Sequence, residues 1–437
     1  VKVAEPLFAV VEELTRQGWE EVEVFHKRGR SRTVRYLHRA EATAFRQEEG
    51  WAVRAGDRRR SFLHAATGTP RPDAPWPDAD GRGLRLPSAR PIPAWTPPSS
   101  LDAPLLGESE ALALFEVVAR ELDSELPGAR LLGGHLDDGS SESQLLSSRE
   151  VASVVRHRAA FLRLEAVGPT PGGKSVSFEV VGREARRFHP TTLARRLADR
   201  VAIAERGVAP VRDRGEFLLA PPVAAGLVAA LAELWVGPGA EERAKALLDR
   251  GGRLGSDALT LVDDGRLPEG VFEAPADGEG QPTRAVTLVE AGGFRQPLLA
   301  WWQSLDNPRH ATGCALRPGW RDLPRPGPTH LYLDPDPGVG VAELLGGLSR
   351  GYYLLALDGP PRILDDHQRF AAPVAGFAID GGRATGPVAG AWLVGSVSTF
   401  LRGILAAARD LTFLPAGGGL VGSPTIFVRG LELRRSP

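Results

Sequence analysis

Prolines crowd one stretch of this chain, from Thr69 to Pro104, in "TPRPDAPWPDADGRG" and "PSARPIPAWTPPSS". Proline removes a backbone donor and restricts the residue before it, so neither a helix nor a central strand can run through such a segment. The stretch is expected to be a linker or surface loop, and it organises everything else. An N-terminal unit spans 1–68, the linker 69–107, a central unit 108–206 and a C-terminal unit 207–437. Three units suit a chain of 437 residues, at about 150 residues per domain.

Each unit has its own pattern. In "AEPLFAVVEELTRQG" the apolar Leu7, Val10, Val11 and Leu14 recur at helical spacing, and Gly18 can end the helix. "EVEVFHKRG", "RTVRYLHRAEATAFRQ" and "GWAVRAGDRRRSFLHAA" alternate, which predicts antiparallel strands joined by polar turns. In the central unit "SEALALFEVVARELDSELPG" reads as an amphipathic helix with Ser109 as its N-cap. Strands follow, and then "HPTTLARRLADRVAIAERG", a helix with Pro190 and Thr191 near its start. From about Gly207, short apolar runs alternate with glycine-rich turns, the pattern of a mostly antiparallel-β unit. Two helices are expected there, "APPVAAGLVAALAELWVG" and "VGSVSTFLRGILAAARDL". The fold class is α+β: an N-terminal helix-on-sheet domain, a central α/β unit, and a mostly β C-terminal domain with a few helices.

Composition removes several function classes. Net charge is −1, so bulk electrostatics do not draw the chain to polyanions. Cys314 is the single cysteine, which excludes an internal disulfide and any multi-cysteine metal site. That usage fits a reducing, cytoplasmic setting. No run of about 18 apolar residues predicts a membrane span. The first stretch carries acids inside its apolar run and lacks the shape of a secretion signal.

Local motifs give little. Gly168 to Ser175, "GPTPGGKS", fits the formal pattern of a phosphate loop. Such a loop needs free amides around the phosphates and a helix starting at the lysine. Here Pro169 and Pro171 remove amides, and "SVSFEVVG" continues as a strand. The segment reads as a hairpin turn with Lys174 solvated, and no nucleotide is expected. No histidine pair has the helical spacing of a metal site, and no G-x-S-x-G elbow is present. Asp277, Glu279, His310 and Cys314 remain as an alternative polar site, against the simpler reading of "ADGEG" as turn chemistry. The basic strand residues Lys27, Arg28, Arg30, Arg32, Arg35 and Arg39 are interleaved with glutamates. They read as a solvated face, not a nucleic-acid footprint.

An ordered series of phrases is more specific. "GRLGSDALTLVDDGRLPEG", "ADGEGQPTRAVTLVEAGGF", "ATGCALR", "PTHLYLDPD", "SRGYYLLALDG", "FAAPVAGFAIDGGRATGPVAGAWLVGS" and "GSPTIFV" follow one another from Gly252 on. In this order and spacing the chain resembles the TldD/PmbA family, and "GWEEVEVFHKRGRSRTVRYLHRAEATAFRQEEG" resembles that family's first domain. The resemblance implies dimers that combine a TldD-type zinc peptidase with a TldE-type (PmbA) partner of similar fold lacking the metal. The TldD type carries H-E-x-x-x-H on a helix and a further cysteine ligand near the C-terminus. Here the matching helix reads "GLVAALAEL". Ala229 and Leu234 stand where the histidines would be, and Ala230 where the glutamate would be. "LTFLPAGGGLVGSPTIFV" contains no cysteine.

The resemblance therefore implies a TldE-like, non-catalytic subunit with no cofactor, paired with a TldD-like chain or with itself. Its substrate would be an unfolded or modified peptide held as an added strand. Glycine-containing segments that would let a peptide backbone approach place candidate contacts at Thr312, Gly313, Gly376 and Phe377. A homodimeric peptide-binding or structural protein of the same fold is the alternative.

Overall fold

Alternation along the first strands fixes a two-faced sheet. In the computed structural model, described at residues 3–37, 40–268, 270–305, 311–365 and 368–436, the sheet holds seven strands. These are β1 (Glu21–Leu37), β2 (Ala40–Gly56), β3 (Arg60–Thr67), β4 (Gly81–Arg82), β5 (Arg130–Ser147), β6 (Ala152–Val167) and β7 (Val176–Gly182). Their order is β4-β3-β2-β1-β5-β6-β7, antiparallel throughout. Strands from both sides of the proline-rich segment thus lie in one sheet, joined where β1 pairs with β5. The segment returns the chain to β5. Its end is tied down where the Leu106 amide donates to Asp138 Oδ2 (2.6 Å), which also receives the buried Arg158 guanidinium (2.8 Å).

Even-numbered residues of β1 face the helices. Leu7, Val10 and Leu14 of α1 (Glu5–Arg16) pack on Val22, Val24 and Trp51. Phe115, Val118 and Leu122 of α2 (Glu108–Glu125) and Leu193, Leu197 and Val201 of α3 (Pro190–Arg206) cover Val34, Leu136 and Leu162. α2 starts earlier than its sequence pattern indicates. Gly107 is the N-cap and its amide donates to Glu110 Oε2 (2.7 Å), which leaves Ser109 inside the first turn. Odd-numbered residues of β1 face the other way, towards the rest of the chain. The 168–175 segment is the β6–β7 hairpin, with Gly172 at φ 74° and Lys174 exposed.

The C-terminal half contains β8 (Arg212–Leu219), β9 (Leu261–Asp264), β10 (Ala285–Glu290), β11 (Gly293–Phe294), β12 (Ala315–Leu316), β13 (Arg325–Pro326), β14 (His330–Leu333) and β15 (Arg350–Leu357). β16 (Arg362–Leu364), β17 (Arg369–Asp380), β18 (Arg383–Ser396), β19 (Ile404–Ala407), β20 (Thr412–Ala416), β21 (Gly419–Ser423) and β22 (Ile426–Arg434) follow. Strands β15-β8-β22-β18-β17 close into a barrel because β17 pairs back on β15. A second sheet runs β11-β10-β9-β14-β21-β20. Between barrel and sheet lies α4 (Pro221–Ala230), apolar on all sides, with Val223, Leu227 and Val228 in the main core. Three short helices complete the unit: α5 (Ala240–Ala246), α6 (Val341–Gly346) and α7 (Val397–Gly403). The long helix expected from Val394 on is only α7. After Gly403 the chain becomes β19, because Ile404 and Ala406 pair with β22 and extended pairing there replaces helical hydrogen bonds. The architecture is α+β, as the sequence pattern indicates.

Candidate functional site

The odd-numbered face of the first sheet is the floor of a cleft of about 750 Å³. Register sets its rows. Lys27 pairs with Ser143 and Ser143 with Val155; Gly29 pairs with Ser141 and Ser141 with His157. Most floor side chains are small, so the surface is smooth. The C-terminal half supplies the walls, from 272–283, 315–320 and 415–420.

One end of the floor is a buried ion cluster that crosses between the two halves. Glu23 of β1 receives Arg54 of β2 through two hydrogen bonds (2.9 and 2.8 Å) and Arg317 of the wall through another. Burial opposes ionisation of Glu23, but the Arg317 and Arg54 charges outweigh it and hold the carboxyl at about 2. The Arg317 guanidinium also lies 4.7 Å from the Phe25 ring centroid.

Asp277 and Glu279 come together beside this cluster. Asp277 accepts the amides of Glu279 (2.9 Å), Gln281 (2.9 Å) and Ala315 (3.1 Å), and Glu279 accepts the amide of Trp301 (2.7 Å). Burial raises both carboxyls well above the carboxylate range, and the Asp277 charge raises Glu279 further. Their backbone partners give both a role in holding the wall loops. Cys314 points into the C-terminal core, 1% exposed, and burial pushes its thiol far up. That is a packing thiol, not a nucleophile. His310 lies outside the described residues.

The candidate peptide contacts are placed elsewhere. Thr312 Oγ1 accepts the Leu299 amide and donates to the Leu299 carbonyl (3.1 Å each). Gly313, at φ 73°, leaves no room for a Cβ, which would stand 2.5 Å from the Pro282 carbonyl oxygen. Gly376 and Phe377 lie in β17, where both edges are already paired, to β15 and to β18. No strand can be added there, and none of the four lines the cleft.

Sequence patterns missed two residues on the floor. Lys27 is not part of a solvated face: it is half-buried in the cleft, and its Nζ donates to the Pro318 carbonyl (2.5 Å). Burial lowers its pKa. His157 is lowered to about 4 by burial, then by Lys27 and His330, and its Nδ1 is buried with no partner. Phe272 packs edge-on against it at 5.8 Å. Behind Phe272, burial lowers the His330 pKa; its Nδ1 donates to the Asp264 carbonyl (2.9 Å) and its Nε2 accepts the Phe272 amide (3.1 Å). Strand parity is the signal that could have found them, since Phe25, Lys27 and Gly29 share one face.

At the end of α4 the helix stops at Ala230, and Ala232–Leu234 form a single 3₁₀ turn. Residues 213–435 match the PmbA/TldA metallopeptidase C-terminal domain. The chain belongs to the PmbA/TldD family. Its fold is similar to that of TldE from Thermococcus kodakarensis, with a TM-score of 0.83 and 18% identity over 98% of this chain and 99% of that one. A protein from Thermotoga maritima described as a candidate modulator of a DNA gyrase gives a TM-score of 0.82 and 14% identity, over 98% and 99%. At these identities what is shared is the fold. Over 83 residues the chain is 31% identical to uncharacterized protein MJ0231 of Methanocaldococcus jannaschii. That stretch is 19% of this chain and 20% of the relative, so the chain spans only a fifth of this curated relative.

Membership in the PmbA/TldD family makes the chain protease-related, and the family's description implies a metal. The residues do not fit one at the end of α4. Ala229 and Ala230 offer no donor, Leu234 is fully buried in the core, and β20 to β22 contain no cysteine. Among the described residues, no three His, Cys, Asp or Glu side chains gather so as to hold a metal ion. Among the same residues, no helix is long and apolar enough to cross a membrane.

Proposed function

We propose that this chain is a non-catalytic, TldE/PmbA-like subunit of a zinc peptidase complex that degrades unfolded or modified peptides. It pairs with a TldD-like chain that carries the metal. The observation that carries this reading is the donor-free end of α4, with Ala229, Ala230 and Leu234, in a chain of a metallopeptidase family. The cleft supplies the peptide-binding part of the role. Among the described residues β7 and β20 each pair on one side only, and both contribute lining residues to the cleft, Val181 from one and Pro415 and Ala416 from the other. An extended peptide adds to such an edge through backbone hydrogen bonds, with little sequence preference. A cytoplasmic setting suits the single, buried Cys314.

The second reading is a homodimeric peptide-binding or structural protein without peptidase activity. Co-purification with TldD-like chains, followed by hydrolysis of an unfolded peptide with and without this subunit, separates the two. A complex that hydrolyses at least about tenfold faster than the TldD-like chain alone supports the first. No complex and unchanged hydrolysis defeat it. Stoichiometric zinc in the purified chain alone, with chelator-sensitive hydrolysis, defeats both.

A further inference from the structure

We propose that the outer face of the C-terminal barrel, where β18 parts from β22, is a docking site for an acidic peptide segment of a partner protein. The site lies apart from the cleft and shares no lining residue with it.

Strand register gathers the side chains. Across β8 and β22, Arg212 pairs with Arg434 and Arg214 with Glu432. Directly paired residues share a face of a sheet, so these four side chains stand together. Their strand neighbours point the other way: Leu433 is buried in the core, and Asp213 accepts the Tyr352 hydroxyl. Arg214 and Arg434 are diagonal neighbours on adjacent antiparallel strands, about 7 Å apart at that position.

Charge on this face is out of balance. Arg212, Arg214 and Arg434 all turn to the one Glu432 carboxylate. Arg212 Nε lies 2.8 Å from Oε1, Arg214 Nε donates to Oε2 (3.0 Å), and Arg434 donates to Oε1 through its own Nε. Hydrogen bonds from Arg434 and Arg212, then Arg214, hold that carboxyl at about 2. One anion faces three cations, so the group keeps two positive charges uncompensated. Beside it, Arg429 is matched by Glu216 (2.7 Å) and Arg369 by Asp365 (3.4 Å), and these pairs neither add to the surplus nor cancel it.

The surplus is open to a ligand. Glu432 lies beneath, its side chain 8% exposed, whereas that of Arg214 is 75% exposed. Arg214 and Arg434 engage Glu432 through Nε alone, so the outer nitrogens of both forks have no hydrogen bond among the described residues. β18 pairs with β22 only as far as Val394, because α7 starts from its cap Ser396, and β22 bulges at Gly430 (φ 85°). The parting strands leave a depression of about 670 Å³, rimmed by Arg214, Arg369, Arg429 and Arg434.

A guanidinium fork matches a carboxylate through two parallel hydrogen bonds. Two spare charges on neighbouring forks call for two carboxylates. In an extended peptide, side chains i and i+2 lie on one side, about 7 Å apart, which is the spacing of Arg214 and Arg434. A stretch with acids at i and i+2 therefore fits the face. Nucleic acid fits less well. The whole chain, at net charge −1, does not attract a polyanion from a distance. Trp392 and Phe427, which would supply stacking, already carry Arg362 and Arg429 over their rings.

The test uses the full-length chain and two dansylated, C-terminally amidated peptides, one of alternating Glu and Ala and one of alternating Gln and Ala. Binding is followed by fluorescence anisotropy, with a dansylated oligothymidylate as a third probe. The Glu peptide is expected to bind at least about tenfold more tightly than the Gln peptide. Arg214→Gln combined with Arg434→Gln is expected to cancel that preference. Arg120→Gln combined with Arg195→Gln makes the same change of charge at exposed positions on α2 and α3, and should leave the preference intact. Equal binding of the two peptides by the wild-type chain overturns the proposal. So does a preference that survives in the Arg214/Arg434 variant, or an oligothymidylate that binds more tightly than the Glu peptide. If that variant does not fold, Arg369→Gln decides: it removes an exposed rim charge and frees Asp365, and should weaken the Glu peptide about threefold, whereas unchanged binding overturns the site.

Discussion

Asp263 shows how single buried groups set the pH behaviour of this chain. It is 2% exposed on β9, where it accepts the Thr329 amide (2.8 Å) and forms no ion pair among the described residues. Burial raises its carboxyl to about 7. The folded pKa then lies above the unfolded one, so the folded state binds more protons. The contribution to stability is full below about 4, the unfolded carboxylate range. It is lost as pH rises from there through about 7. The raised carboxyls of Asp277 and Glu279 act with the same sign. Glu23 acts oppositely, because its folded pKa of about 2 makes stability fall only as pH drops towards that value. Asp263→Asn keeps the acceptor and removes the titration. It is expected to raise stability at pH 8 relative to wild type, by on the order of a few kcal/mol, and to leave pH 4 nearly unchanged. Urea denaturation at both pH values checks this; equal changes at pH 4 and pH 8 would rule out the linkage.

Among the elements, α4 carries the most functional weight. Its helix ends at Ala230 and the next turn is 3₁₀, with Leu234 fully buried. Placing His at 229, Glu at 230 and His at 234 is therefore not expected to build a zinc site. Leu234→His buries an imidazole among apolar side chains, at a cost of about 2–5 kcal/mol, and β20 to β22 contain no cysteine to complete the ligands. The triple variant should melt below wild type and hold no stoichiometric zinc after gel filtration, as read by atomic emission. Retained zinc with an unchanged melting temperature would contradict this account of α4. The element scale is also where the sequence was most legible. Period-two alternation exposed β1 to β3 and β5 to β7, and the prolines of 168–175 betrayed a hairpin. The apolar run after Val394 was ambiguous between helix and strand, and only pairing with β22 decided it. The donor-free 229–234 segment was readable through the family resemblance. The cleft residues were not, because Lys27 and His157 come to share one floor only through the register of three strands.

For the whole molecule, the decisive contact is between the first sheet and the C-terminal half. Glu23 lies at that boundary with Arg54 on its own sheet and Arg317 opposite. Other ties cross the same boundary. Arg183 bonds Glu273 (2.7 Å) and the Gly270 carbonyl (2.9 Å), Trp95 bonds Glu273 (2.9 Å), and Ile203 of α3 packs with Ala375 and Ala389 of the barrel. Because these ties are distributed, loss of one should weaken the whole without separating the parts. Glu23→Gln keeps the shape and removes the charge that both arginines share. Removing one partner of a buried ion pair costs about 3–5 kcal/mol. In a chain this long that lowers the melting temperature by roughly 5 °C. Calorimetry should show one transition for wild type and one, shifted, for Glu23→Gln, with circular dichroism in the far and near ultraviolet moving together. Two resolved transitions in the variant would mean that the halves are held by the Glu23 cluster alone. The cleft between them would then be a hinge, and not the fixed groove that an added peptide strand requires.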